Sequence, residues 1–251
     1  MELDLLGVGG GWARPGGAAC GYLVRHQGFN VWIDAGTGTM ANLQRYVPLE
    51  QVHAVAISHQ HFDHFLDLYP FWLSRWWGDG EKPNPIPLFA PQGLFAHALQ
   101  LEPKLGDAFR LQEVEPGSDF EAGPFRIHTA AMNHPVPTLG MRLESDGATL
   151  AYSADTGPTE ELVELSRGAD LLLCEATWLE VRPGWAPIHL TATQAGEHAA
   201  RAGVGRLVLT HIWPATDRGE SEARAREAFG GQVTVAEEGL RLDPARMEAD
   251  T

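Results

Sequence analysis

The sequence predicts an α/β domain in which two β-sheets pack face to face and helices cover both outer faces. Three observations lead there. Short apolar and β-branched runs recur along the chain, and helical patterns separate them in an order of strands, helix, strand, helix, more strands, then helix–strand units. Two sheets with helices outside bury that order. The 251 residues, 44% of them hydrophobic, suffice for a large core. No linker, low-complexity tract or repeat divides the chain, so residues 1–251 are read as a single domain.

Leu3–Val8, Cys20–Arg25 and Asn30–Asp34 read as strands separated by glycine-rich turns. Gly9-Gly10-Gly11 and Gly16-Gly17 open no helix, so they mark a loop and not a phosphate-binding fingerprint. Thr39–Tyr46 is a short helix stopped before Pro48. Ala54–Ile57 is a buried strand that leads into a histidine-rich loop. His64–Trp77 has helical apolar spacing with Pro70 expected to kink it, and Ser74–Pro87 reads as a loop. Ile86–Ala90 is a strand and Gln92–Leu101 a helix. Phe109–Val114, Phe125–Ala131, Leu139–Leu143 and Thr149–Ser153 read as strands of the second sheet. Thr159–Arg167 is a helix and Leu171–Cys174 a strand. Thr191 and Gln194 form a capping box for a helix ending near Ala202, with Gly203 as its stop. Leu207–Thr210, a helix at Ser221–Phe229 and a last strand at Gln232–Ala236 complete the chain.

Composition narrows the function. Asp and Glu number 33 against 18 Lys and Arg, a formal net charge of −15. Proteins that grip extended nucleic acid carry basic faces, and none is present here. In Glu220–Arg226, arginines alternate with glutamates, as on a solvated ion-paired face. A small anionic substrate stays open, because bound divalent cations would reverse the local field. Cys20 and Cys174 lie in apolar strands and read as buried thiols, not a disulfide or a metal knuckle. Met1–Gly9 lacks the charge and apolar run of a signal peptide, and no stretch reaches a membrane span. The expected location is the cytoplasm, and a homodimer is compatible with the sequence.

The chemistry concentrates at His59, His61, Asp63 and His64, directly after a buried strand. Imidazole and carboxylate are ligands for zinc and similar ions. In an extended segment His59 and His61 point the same way and can share one ion, while Asp63 and His64 face a second. Further ligands must come from other strand ends. His134, Asp155 in Tyr152-Ser153-Ala154-Asp155-Thr156, and His211 stand there. Asp155 has two oxygens with which to bridge both ions.

Ser58-His59-Gln60-His61-Phe62-Asp63-His64 resembles the signature loop of the metallo-β-lactamase fold, and His134, Asp155 and His211 follow in that family's order. The resemblance implies a four-layer αββα sandwich with two divalent metal ions at one edge. One ion would take His59, His61 and His134. The other would take Asp63, His64 and His211, with Asp155 bridging. Zinc suits these donors, and manganese or iron can occupy such sites. Asp34 resembles the family's Asp that orients the histidine loop. Cys174-Glu175-Ala176-Thr177 and His189-Leu190-Thr191-Ala192-Thr193-Gln194-Ala195-Gly196, followed by Leu207–His211, resemble the ribonuclease Z group of phosphodiesterases. By that resemblance Glu175 orients His189, which donates to a phosphoryl oxygen or the leaving group, and Asp63 acts with them in catalysis. That group's tRNA-gripping arm lies between the residues matching His134 and Asp155, where this chain has only twenty residues. The chain therefore looks more like the short bacterial phosphodiesterases of the group.

The implied activity is dinuclear metal-dependent hydrolysis of a small cyclic or linear nucleotide phosphodiester by metal-activated hydroxide. The alternatives are an RNA or tRNA 3′-end nuclease, a hydrolase of carboxylic esters, lactones or thioesters, and a non-enzymatic nucleotide sensor. His26, His53, His97, His128 and His198 match no motif and read as structural or solvated. Trp72, Trp76 and Trp77 read as core packing, with a Trp76–Trp77 loop over the site as the alternative.

Overall fold

The computed structural model describes residues 1–77 and 84–246. Strands β1 (Glu2–Gly7), β2 (Gly21–His26) and β3 (Phe29–Ile33) precede helix α1 (Thr39–Leu43) and strand β4 (Ala54–Ala56). Helices α2 (Phe62–Phe65) and α3 (Leu68–Trp77), strand β5 (Ile86–Ala90), helix α4 (Leu94–Leu101) and strand β6 (Phe109–Glu113) follow. Next come strands β7 (Asp119–Ala122), β8 (Phe125–Ala131), β9 (Leu139–Ser145) and β10 (Ala148–Tyr152), helix α5 (Glu160–Ser166) and strand β11 (Leu171–Glu175). The chain closes with α6 (Ala192–Ala202), β12 (Arg206–Thr210), α7 (Arg218–Phe229), β13 (Gln232–Val235) and β14 (Arg241–Leu242).

These strands form two seven-stranded mixed sheets, ordered β14-β1-β2-β3-β4-β5-β6 and β13-β12-β11-β10-β9-β8-β7. Side-chain alternation explains why each sheet is covered on both faces. Val31 and Ile33 of β3 point into the core between the sheets, together with Leu171 and Leu173 of β11. Trp32 faces the other way and packs with Phe65, Phe71 and Leu94 beneath the first helical layer. Leu172 and Cys174 meet Leu162, Ala195 and Ala199 beneath the second. Each such leucine contributes roughly 1.5–3 kcal/mol by leaving water. The result is the expected αββα sandwich.

Several details differ from the sequence reading. Phe109–Glu113 joins the first sheet, parallel to β5, because α4 is a crossover that returns the chain to the same sheet. The second sheet's edge is instead Asp119–Ala122, which alternates polar residues and so gave no apolar run. The helix after the histidine loop is broken between Phe65 and Leu68, and Pro70 sits in the first turn of α3, where a missing N–H costs little. Trp76 and Trp77 therefore lie on α3 and not on a loop, while residues 78–83 of the proposed loop fall outside the described residues. Trp76 stacks on Trp72 with ring centroids 6.5 Å apart, the core-packing role, whereas Trp77 is 73% exposed and does not pack in the core. Finally, Gln232–Val235 is not the last strand. Arg241–Leu242 pairs with β1, and buried Asp4 accepts from Arg25 Nε at 2.7 Å and Arg241 Nε at 2.8 Å.

The capping box of α6 is present: the Thr191 side chain accepts from Gln194 N–H and Gly203 ends the helix in the left-handed region. α7 begins earlier than expected, because the Asp217 carboxylate caps it through Glu220 N–H. Both cysteines are free and buried. Among the described residues no helix is long and apolar enough to cross a membrane.

Candidate metal centre and active site

β3 and β4 run parallel, as do β10, β11 and β12, and β8 shares the direction of β10 through antiparallel β9. Their C-terminal ends therefore deliver Asp34, the histidine loop, His134, Asp155, Glu175 and His211 to one edge of the sandwich. Three of these ends carry a non-glycine residue at positive φ: Asp34 (52°), Ala154 (51°) and His211 (51°). Each costs on the order of 1–3 kcal/mol and turns the chain sharply where a side chain must face the site. Gly36 has to be glycine, since a Cβ there would lie 2.0 Å from the Asp63 carbonyl oxygen. A Cβ on Gly10 would lie 2.5 Å from the His211 carbonyl oxygen. The glycine loop thus packs against the site, and Gly11 N–H donates to Asp63 Oδ2 at 2.7 Å.

All the sequence-expected ligands converge. His61 Nδ1 lies 3.1 Å from His59 Nε2 and 3.1 Å from His134 Nε2. Asp155 Oδ2 stands 3.7 Å from His59 Nε2 and 4.0 Å from His134 Nε2. Alongside, Asp63 Oδ2 is 3.5 Å from His64 Nε2 and 3.3 Å from His211 Nε2. Asp155 contacts that pair too, with Oδ1 at 3.4 Å from His64 and Oδ2 at 3.3 Å from His211. Ligands about 2.0–2.1 Å from a tetrahedral zinc ion stand about 3.3 Å from each other. The spacings fit one ion in each group, with Asp155 shared.

Tautomers support the same fit. His64 Nδ1–H donates to Asp34 Oδ2 at 2.8 Å and His134 Nδ1–H to the Ile188 carbonyl at 3.0 Å. Neither acceptor can donate, so in the neutral rings Nε2 keeps its lone pair and aims it inward. Ser58 Oγ donates to Asp34, which leaves it to accept from His59 Nδ1–H at 3.0 Å. Thr177 Oγ1 donates to Glu175 Oε2 at 2.7 Å and accepts from His211 Nδ1–H at 2.9 Å. Outer partners of this kind orient metal-binding imidazoles. His64 Nε2 and Asp155 Oδ1 are buried without a hydrogen-bond partner, as expected of atoms that need an ion.

Burial depresses the basicity of His59 and His61, and it brings His134 down to about 4. His64 shifts the other way: burial opposes its charge, but Asp155, Asp63 and Asp34 outweigh it. Asp63 and Asp155 are held ionised, against the penalty of burial, by His64 and His211.

Glu175 and His189 lie beside this cluster. Glu175 is fully buried and accepts five hydrogen bonds, from Thr156 N–H, Thr177 N–H, Thr177 Oγ1, Leu190 N–H and His189 Nδ1. Its carboxylate therefore both braces the loop and orients His189. Burial works against the charged His189 ring, yet Glu175 and then Asp155 push its pKa up to about 9. His189 Nδ1 also lies 3.9 Å from Asp155 Oδ2, but Glu175 already holds that nitrogen. His189 also stands with Asp155 and His211 in a group able to hold a metal ion, and in its charged form its Nε2 is a hydrogen-bond donor.

Sequence reasoning missed the aromatic wall next to His189. Trp178 approaches His189 with ring centroids 6.2 Å apart, and Trp213 approaches Trp178 at 4.8 Å. The only signal was a tryptophan immediately after Thr177 and another two residues past His211. His53 accepts from Asn30 N–H and His198 from Thr159 N–H, which fits structural roles.

Converging imidazoles and carboxylates at one edge of a two-sheet sandwich define a metal-dependent hydrolase. The beta-lactamase superfamily domain matches residues 29–212. The chain belongs to the metallo-β-lactamase superfamily. An uncharacterized protein of Mycobacterium tuberculosis is 36% identical over 243 residues, covering 93% of this chain and 88% of the relative. The probable metallo-hydrolase YhfI of Bacillus subtilis is 29% identical over 245 residues, covering 96% and 98%. Its crystal structure matches with a TM-score of 0.88 over 96% of this chain and 98% of that one, at 27% identity. Ribonuclease Z of Mycobacterium bovis is 28% identical over 274 residues, covering 97% and 98%.

Proposed function

We propose that the protein is a single-domain, dinuclear metal-dependent phosphodiesterase that hydrolyses a small cyclic or linear nucleotide. The observation that carries this is the Glu175–His189 pair, a charged donor beside seven converging ligand side chains. In this reading His59, His61 and His134 would hold one ion and Asp63, His64 and His211 the other, with Asp155 available to both. When bound, two divalent cations, zinc by donor type, supply Lewis acidity and a water of lowered pKa. Asp34 keeps the His64 ring turned toward its ion and braces Ser58. Asp63, fixed by Gly11 N–H, adds negative charge at the second position and accepts a hydrogen bond from the attacking water. His189 Nε2 donates to a phosphoryl oxygen or to the leaving oxygen, and Glu175 stabilises the imidazolium form that makes it a strong donor. Two bound cations would lower the His189 pKa from its metal-free position of about 9.

Likeness to ribonuclease Z favours RNA as a second reading. Against it, the net charge of −15 repels a polyanion. The segment between His134 and Asp155 is filled by the β9–β10 hairpin, with Asp146-Gly147 as its turn, and has no arm. The test is a substrate panel with metal-loaded protein: bis-p-nitrophenyl phosphate, cyclic nucleotides, a tRNA precursor, a β-lactam, a lactone and a thioester. Diester turnover above the others supports the proposal. Thioester or lactone turnover without diesterase activity overturns it, and tRNA cleavage above nucleotide cleavage moves it to the nuclease reading.

A further inference from the structure

A cleft of about 160 Å³ opens directly beside His189, walled by Trp178, Trp185, Trp213 and Gln194 and crossed by Arg182. A space of this size suits one planar ring system, with the rest of a ligand lying outside it. The walls are indole surface. The Arg182 guanidinium lies 3.7 Å from the Trp178 ring centroid and 5.1 Å from that of Trp185. In a chain of net charge −15, Arg182 has no carboxylate within ion-pair distance among the described residues. Gln194 uses its Oε1 in the capping box, which leaves its amide N–H groups free to donate. The backbone of Trp178 is pinned, donating to Leu190 and accepting from Ala192, so the wall is fixed relative to His189.

We infer that this cleft is a base-binding subsite, in which the nucleobase of the substrate takes the place of the exposed Arg182 guanidinium over Trp178, beside Trp213, and the displaced Arg182 and Gln194 donate to its acceptor edge. The inference rests on the nucleotide phosphodiesterase reading above. Continuity carries it: Trp178 and His211 flank His189, at 6.2 Å and 5.5 Å between ring centroids, so a phosphate at the metal centre leaves its nucleoside facing the cleft. Chemistry selects the occupant. An acyl chain would use the indoles but leave both donors idle. A nucleobase uses the π-faces by stacking and the donors through its ring nitrogens and carbonyl oxygens.

The test is calorimetric titration of metal-loaded protein with AMP, GMP, ribose 5-phosphate and hexyl phosphate, alongside the variants Trp178→Ala and Arg182→Ala. A mononucleotide is expected to bind about tenfold or more tighter than ribose 5-phosphate, the scale of one base–aromatic stack. That ratio should collapse below about threefold in Trp178→Ala and fall severalfold in Arg182→Ala. Because Arg182 is exposed, its variant keeps the test alive if Trp178→Ala does not fold. A wild-type ratio near one, a ratio unchanged in Arg182→Ala, or hexyl phosphate binding as tightly as AMP overturns the subsite. Wild-type diester turnover is scored separately. Base discrimination without diester cleavage refutes the phosphodiesterase reading, and cleavage without discrimination refutes the subsite.

Discussion

Glu175 Oε1 accepts the Nδ1–H of His189 at 2.9 Å, while its other oxygen accepts the hydroxyl of Thr177, which in turn holds His211. One buried carboxylate therefore serves both the donor on the open side of the site and an imidazole of the second metal position.

His189→Ala should separate catalysis from metal binding. In the proposed arrangement the seven other ligands complete both metal positions, so metal content should stay near wild type. Loss of a donor to the reacting phosphoryl group typically costs about 10²–10³ in turnover, roughly 3–4 kcal/mol of barrier. Parallel elemental analysis and diester kinetics check this. Near-normal turnover, or metal loss like that of His211→Ala, would remove the donor role.

Glu175→Gln should do more than free the imidazole. An amide NH₂ would replace an oxygen that faces donors, leaving buried groups unpaired at about 1–3 kcal/mol. A melting curve in denaturant should show that loss. The His189 pKa in the metal-free variant, followed by NMR, should fall from about 9. The sign follows from linkage: a pKa raised on folding gives stability that is complete below the unfolded value of about 6.5 and is lost as pH rises through about 9. Metal-free wild type should therefore lose more stability than Glu175→Gln over that interval. Equal losses would sink the pairing.

Affinity at the second position should rise with pH. The surrounding carboxylates keep His64 protonated in the metal-free protein above the usual histidine range. An ion must displace that proton, so lowering the pH weakens binding by up to about tenfold per unit below the His64 pKa. Metal titrations at several pH values measure it. Affinity independent of pH at the second ion would contradict the assignment of His64.

Asp34→Asn should weaken metal binding although Asp34 is not among the proposed ligands. Its carboxylate accepts from Ser58 N–H, Ser58 Oγ, His64 Nδ1 and Tyr152 Oη. Removing such an outer partner typically costs about 10–100-fold in affinity. Competition with a chelator reads it out, and unchanged affinity would limit Asp34 to a folding role.

The metal cluster was legible because four ligand-type side chains crowd into His59–His64 directly after an apolar strand, and Asp155 and His211 follow the apolar runs Thr149–Ser153 and Leu207–Thr210. Burial fixes the run, and the polar residues just past its C-terminal end lie at the edge. Edge strands were harder. Asp119–Ala122 and Arg241–Leu242 are short and largely polar, and only pairing reveals them. Which sheet receives Phe109–Glu113 is set by its long-range parallel pairing with β5 and not by any local pattern. Thr177 stood inside a quoted motif, yet its link between Glu175 and His211 exists only once β11 and β12 are side by side. The Trp178–Trp213 wall was hidden for the same reason, its members lying thirty-five positions apart in the chain.

Elemental analysis of the purified protein after metal reconstitution, with His61→Ala and His211→Ala beside it, tests the metal centre most directly. The geometry predicts about two ions per wild-type chain at ligand spacings suited to zinc, with each variant losing chiefly the ion its own group holds. Wild-type protein that retains no metal after reconstitution would contradict the account.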